Sequence, residues 1–130
     1  MVKTKRMEKL EYIPGDLVIY ASLIKEPIAE ICEVHEASYT VKFMHGNFAT
    51  TSNEIKPITL TPEILEKNGW VKDKEGYING SYHLHLCEKN NRYSVYKVVN
   101  DNIVWLTDVR NVSDLQHLLF GLGLNSEMEV

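Results

Sequence analysis

In SYHLHLCEKN, residues 81–90, His83, His85 and Cys87 fall at alternate positions. Imidazole and thiolate are the usual protein ligands of zinc, so this spacing raises the prospect of a metal site. Extended-chain geometry argues against a triple site. On a strand, alternate side chains share a face, so the two histidines and the cysteine point one way while Tyr82, Leu84 and Leu86 point into the interior. His83 and Cys87 are then about 13 Å apart at the strand rise, and zinc bonds of about 2.0–2.3 Å cannot close that gap. An H-x-H pair works only with a third ligand from a neighbouring element. The acids in view, Glu88 and Asp101, sit in or beside loops. A metal-dependent hydrolase using His83 and His85 is therefore an alternative reading, and the leading expectation is no metal, no cofactor and no catalytic residue.

Other nucleophiles and ligand cradles are weaker still. Cys32 and Cys87 lie in apolar runs without a CxxC or CxxH neighbour and read as structural thiols. Cys87 and His85 share one strand at alternate positions, which does not aim a base at a sulfur. The chain contains no G-x-G-x-x-G, Walker loop or G-x-S-x-G elbow. Its net charge of −4 gives no overall attraction for nucleic acid or anionic lipid. Lys3, Lys5, Arg6 and Lys9 form a local basic arm, diluted by Glu8 and Glu11. That arm is the basis of a second alternative, a nucleic-acid-binding accessory protein. No apolar stretch follows the arm to make a secretory signal, and no run of about eighteen apolar residues occurs, so a cytoplasmic protein with no membrane partner is expected.

The elements that must position these side chains can be read from turn and cap signals. Hydrophobic residues make up 44% of the 130 and charged residues 25%, the balance of a chain that folds around a core. Pro14-Gly15 fits the centre of a type II turn, and strands should follow at 17–22 and 28–35. Glu30 and Glu33 interrupt the second, which suggests a bulge or bend. YTVKF, 39–43, alternates cleanly before the His45-Gly46-Asn47 turn leads into FATTS. In TLTPEILEKNGW, Thr61 is an N-cap, Pro62 takes the first helical position, and Leu60 and Leu65 have staple spacing. Three strands are expected next, in SYHLHLCE, YSVYKVV and NIVWLTD, forming an antiparallel meander. VSDLQHLLFGLG then reads as a closing helix, with Ser113 and Gln116 as a capping box and a stripe of Val112, Leu115, Leu118, Leu119 and Leu122. The polar tail beyond Leu124 is expected to fray.

Three segments carry a resemblance: Gly15-Asp16-Leu17-Val18-Ile19-Tyr20, the stretch Ile55 through Gly69, and Val112-Ser113-Asp114-Leu115-Gln116. Together they resemble an uncharacterised family of small proteins from gut bacteria and their prophage-like elements, whose first half is similar to an SH3-like barrel. The last segment departs from that family's V-H-x-L-Q form at its second position. The resemblance implies a bacterial or phage origin and no particular activity. The expected fold is mainly β (α+β), an N-terminal SH3-like small barrel followed by a three-stranded antiparallel sheet packed on a C-terminal helix. The expected division is a basic arm at 1–11, a barrel lobe at 12–60, a connecting helix at 61–70, meander plus helix at 71–124, and a tail at 125–130. The expected function is that of a non-enzymatic binding module of a bacterial mobile element or phage, engaging a host protein or small ligand between the lobes. Tyr20, Tyr39, Trp70 and His83 are the candidate ligand-binding residues, since Tyr and Trp combine apolar area with a polar tip. An exposed sheet edge would also allow a homo-oligomer.

Overall fold

Gly15 adopts φ +97°, the left-handed conformation that a type II turn requires at its third position, and the Asp16 amide closes the turn on the Ile13 carbonyl at 3.1 Å. The buried Asp16 carboxylate accepts the Ile13 N–H at 2.9 Å, so the turn is fixed by backbone and side chain together. The computed structural model describes residues 12–23, 27–87 and 92–130. The basic arm and Glu88, Lys89, Asn90 and Asn91 lie outside these residues. The chain divides into two compact units after Lys56.

The first unit is an antiparallel sheet. Strands β1 (Leu17–Tyr20), β2 (Ile28–Val34), β3 (Tyr39–Phe43), β4 (Phe48–Thr51) and β5 (Ile55–Pro57) are ordered β4-β3-β2-β1-β5. The expected irregularity in β2 is a register shift between Ile31 and Glu33, opposite Val41 and Thr40. Ala29 and Ile31 face inward by ordinary alternation, and the extra residue turns Glu33, which would otherwise share their face, out into solvent with Glu30. Alternation in β3 buries Val41 and Phe43, which join Tyr12, Val18, Ala29 and Ile31 in the core.

The second unit contains helix α1 (Pro62–Lys67), strands β6 (Val71–Lys72), β7 (Gly76–Asn79), β8 (Tyr82–Cys87), β9 (Arg92–Val99) and β10 (Asn102–Val109), and helix α2 (Val112–Gly121). The protein is thus mainly β, with two antiparallel sheets and a C-terminal helix. Neither sheet closes on itself. The second sheet has five strands in the order β10-β9-β8-β7-β6, and not the three expected. β6 and β7 are two and four residues long, too short to display a hydrophobic period. They exist because the Asp73 carboxylate accepts the Glu75 and Gly76 amides at 3.0 and 2.9 Å and folds the chain back into a hairpin.

α1 forms as its sequence dictates. Thr61 Oγ1 accepts the Ile64 amide at 3.2 Å, Pro62 opens the helix, and Leu65 is completely buried. The helix belongs to the second unit. α2 begins earlier than its capping-box spacing predicts. Asn111, not Ser113, is the N-cap: its side-chain oxygen accepts the Asp114 amide at 2.8 Å, and the Ser113 hydroxyl donates to the same oxygen at 2.9 Å. Pairing beyond the helix selects Asn111, which bridges to Thr59 while the Val112 amide bonds the Ile58 carbonyl at 2.8 Å. The tail is not frayed. Gln116 donates to the Ser126 carbonyl at 3.2 Å, and the Asn68 amide group exchanges two hydrogen bonds with the Glu129 backbone, both at 2.8 Å.

Gly76 pairs with His85 in the β7–β8 ladder, and a methyl at its Cβ position would run into the Leu84 carbonyl oxygen. Gly76→Ala should therefore destabilise the protein by about 2–3 kcal/mol, as overpacking does. The check is a lower urea midpoint at unchanged m-value; an unaltered midpoint would contradict this packing.

Candidate binding face

Register in the second sheet sorts its side chains into two faces. Lys72, Tyr77, Leu84 and Val95 lie in one cross-strand row, of which Tyr77, Leu84 and Val95 are buried at 6% exposure or less. The next row belongs to the opposite face and runs through all five strands: Val71, Ile78, His83, Tyr96 and Trp105. Directly opposed residues on antiparallel strands share a face at contact distance, so the row is one continuous strip. Val71 and Trp105 remain 62% and 56% exposed.

Beside this strip lies a groove of about 440 Å³ lined by His83, His85, Tyr96, Val98 and Ile103, with the Asp73-Lys74-Glu75 turn at its rim. His85 is placed by β8 opposite Ser94 and its ring lies 4.9 Å from that of Tyr96. The His83 ring stands nearly perpendicular to His85, with centroids 6.4 Å apart. Glu75 Oε2 lies 3.4 Å from His85 Nε2. The two imidazoles thus share a face as alternation requires, with Cys87 further along opposite Arg92. Among the described residues, no group of three or more His, Cys, Asp or Glu side chains is placed to hold a metal ion. The groove combines the rings of His83, His85 and Tyr96 with aliphatic Val98 and Ile103 and a charged rim of Asp73, Lys74 and Glu75, which suits reversible contact with an apolar or aromatic group.

The far end of the face is tied down by Asp108. Its Oδ1 accepts the Ser94 hydroxyl at 2.9 Å and the Trp105 indole N–H at 3.2 Å, while Arg92 Nε lies 3.3 Å from Oδ2. The Ser94 hydroxyl first, then the Trp105 indole and the Arg92 and Arg110 charges, hold the Asp108 carboxyl below the usual carboxylate range. A bulge between Trp105 and Thr107 makes this possible. Residues three apart on a regular strand face opposite ways, and the extra residue brings Trp105 and Asp108 to one side.

The four residues expected to bind ligand are divided between the two units, Tyr20 and Tyr39 in the first and Trp70 and His83 in the second. Only His83 lines this groove. Trp70 is 4% exposed and contributes to a different cavity, of about 460 Å³, with Tyr82, Asn79, Leu119 and the tail. Tyr20 and Tyr39 belong to the first unit. Tyr39 accepts the Tyr12 amide at 3.4 Å and meets the Tyr12 ring edge-on. Tyr20 donates to Glu54 Oε2 at 2.7 Å and meets Phe43 edge-on. Sequence reasoning missed Glu75, Tyr96, Ile103 and Trp105 as members of a face. Strict alternation in YSVYKVV, 93–99, already separates Tyr93 and Val95 from Tyr96 and Val98, and was the available signal.

Comparison with protein-family models, with curated proteins and with solved structures returns no match for this chain. Among the described residues, no helix is long and apolar enough to cross a membrane.

Tyr20 serves Glu54, whose carboxyl is held below its ordinary range by the Ser22 hydroxyl and then by the Tyr20 hydroxyl. A carboxylate depressed in this way stabilises the fold above its unfolded pKa, and that contribution disappears as pH falls through the folded value. Tyr20→Phe should move the Glu54 titration upward and shrink the acid-dependent loss of stability. NMR titration of the Glu54 side chain reads the shift; an unmoved pKa would remove Tyr20 as a donor.

Proposed function

We propose that this chain is a non-enzymatic binding module of a bacterial mobile element or phage, and that it engages a host protein or small ligand at the groove of His83, His85 and Tyr96. The observation that carries this reading is the unbroken row Val71, Ile78, His83, Tyr96 and Trp105 on the face away from the sheet's buried row. Contiguous apolar surface is what distinguishes an interaction site from scattered exposed hydrophobics. The ligand is an aromatic or apolar group, free or carried by a protein, that stacks on Tyr96 and His85 beside the Glu75 carboxylate. The mobile-element origin rests on the resemblance in Gly15–Tyr20, Ile55–Gly69 and Val112–Gln116.

In the same reading, the first unit is an SH3-like small barrel. Two features support it: the bulge that bends β2, and the return of β5 to the open side of β1, both of which curl a short meander. Its role is to be part of the scaffold, since fold alone assigns no activity.

A protein-observed NMR screen of small aromatic compounds against the isotope-labelled full chain tests the groove. Binders should shift the amides of His83, His85 and Tyr96, and Tyr96→Ala should weaken them at least about tenfold, about 1.4 kcal/mol. Tyr96 is only partly buried, so this variant keeps its fold. Binders that perturb only residues elsewhere would overturn the assignment.

A further inference from the structure

Among the described residues, strand β10 ends the second sheet, and up to the bulge after Trp105 its outer edge lacks the charges and prolines that usually protect an edge. Asn102–Val109 contains no lysine and no proline. Ile103, Val104 and Trp105 are 67%, 47% and 56% exposed, so both faces of the edge are apolar.

The backbone there is also poised to pair. Asn100 and Asp101 both have positive φ, 50° and 68°, and make the tight two-residue turn that sets Asn102 opposite Val99. Val98 donates its amide to the Ser81 carbonyl at 2.9 Å, away from β10. Ile103, opposite Val98, therefore directs its own N–H and C=O away from β9, and so does Trp105 two residues on. Among the described residues no backbone group pairs with these donors and acceptors, which lie in the straight part of the strand, before the bulge.

We propose that the protein forms a two-fold homodimer by antiparallel pairing of β10 with β10 of a second copy, the axis passing beside Val104. In that register Ile103 faces Trp105 of the second copy, and each such pair exchanges two backbone hydrogen bonds. Val104 meets its own counterpart as a close, non-hydrogen-bonded pair. Ile103 and Trp105 stack across the strands on the groove side, an aliphatic–aromatic contact of the kind that stabilises sheets. No charged residue lies between Asn102 and Trp105, so no like charges are brought together at the axis. A second copy is favoured over a foreign peptide because the edge is complementary to itself in register and side-chain size.

The area sets the strength. The exposed parts of Ile103, Val104 and Trp105 amount to roughly 350 Å² per copy, so these side chains can bury at most roughly 700 Å² for the pair, below a standard stable interface and at the scale of a weak, transient one. The dimer is therefore concentration-dependent. It also extends the apolar row of one sheet into that of the next, setting the two grooves side by side. The pairing of β10 with β10 does not depend on what the groove binds.

Sedimentation velocity on the full chain, from low to high micromolar concentration, should show the average mass rising toward twice that of the chain. Val104→Lys and Val104→Glu should each remain monomeric, and an equimolar mixture of the two should dimerise again. Each variant's circular dichroism spectrum should match the parent's, since Val104 is largely outside the core. A monomeric parent at every concentration, a dimer that survives Val104→Lys, or a mixture that fails to associate would each overturn the proposal, whether or not an unrelated peptide can add to the same edge.

Discussion

Backbone pairing holds Leu84 between Tyr77 and Val95, and the organisation of the second unit follows from that register. A strand has only two faces, so once Leu84 is fixed inward, His83 and His85 are fixed outward. Burial of a leucine side chain contributes roughly 1.5–3 kcal/mol, and a slip by one residue would replace it with an imidazole in the core. Both penalties oppose the slip. Gly76 reinforces the register from the adjoining strand, because only a residue without Cβ allows the Leu84 carbonyl to approach so closely. The chemistry of the outer face is in this sense a by-product of core packing, and so is its precision.

The bulge in β10 modifies this rule locally. Past it, Thr107 and Val109 face inward opposite Val95 and Tyr93, so the core alternation is resumed after one extra residue. The same insertion brings Asp108 under the Trp105 indole and beside Arg92. An aromatic residue with more than half its surface in solvent would ordinarily sample several rotamers, and the indole hydrogen bond restricts that freedom. Trp105 is thereby held as part of a surface of definite shape. The bulge also ends the straight, pairable part of the edge, which limits how much of the strand a second chain could cover.

Local signals were legible wherever the determining contacts are local. The Thr61 cap, the Pro62 start and the buried Leu65 are specified within one helical turn. Alternation in YTVKF and YHLHLC was enough to assign both strands and to set Val41, Phe43 and Leu84 inward, but Leu86, expected in the interior with Leu84, is 46% exposed near the end of its strand. What escaped the sequence depends on partners far along the chain. Asn111 and Ser113 are both competent caps, and the contest is decided by Thr59 and Ile58, more than fifty positions earlier. Asn68 has the look of a helix stop, yet its side chain doubles as a strand edge for Glu129. β6 and β7 are created by the Asp73 turn and by β8, and have no period of their own. Among the aromatic residues, Trp70 is buried, while Tyr20 and Tyr39 are engaged with Glu54 and Tyr12. Composition points to aromatics as a class, and only register separates those in the interior from those on the surface.

The outer row is the part of the sheet that folding does not explain. Antiparallel sheets with one buried face ordinarily carry polar residues on the other, which keeps the surface soluble at no cost to the core. Here threonine, serine or lysine at positions 71, 78, 96 and 105 would leave the Tyr77, Leu84 and Val95 packing intact. The sequence instead places valine, isoleucine, tyrosine and tryptophan there, in register, around a histidine. Aromatic and β-branched pairs do strengthen a sheet, by about 0.2–1 kcal/mol each, so part of the row can be ascribed to cross-strand stability. That gain accrues between neighbours and gives no reason for one strip to continue through all five strands up to the exposed Trp105 at the edge. Continuity across the whole sheet is a property that matters to something laid over it, and it is the feature by which this surface differs from an ordinary solvated face.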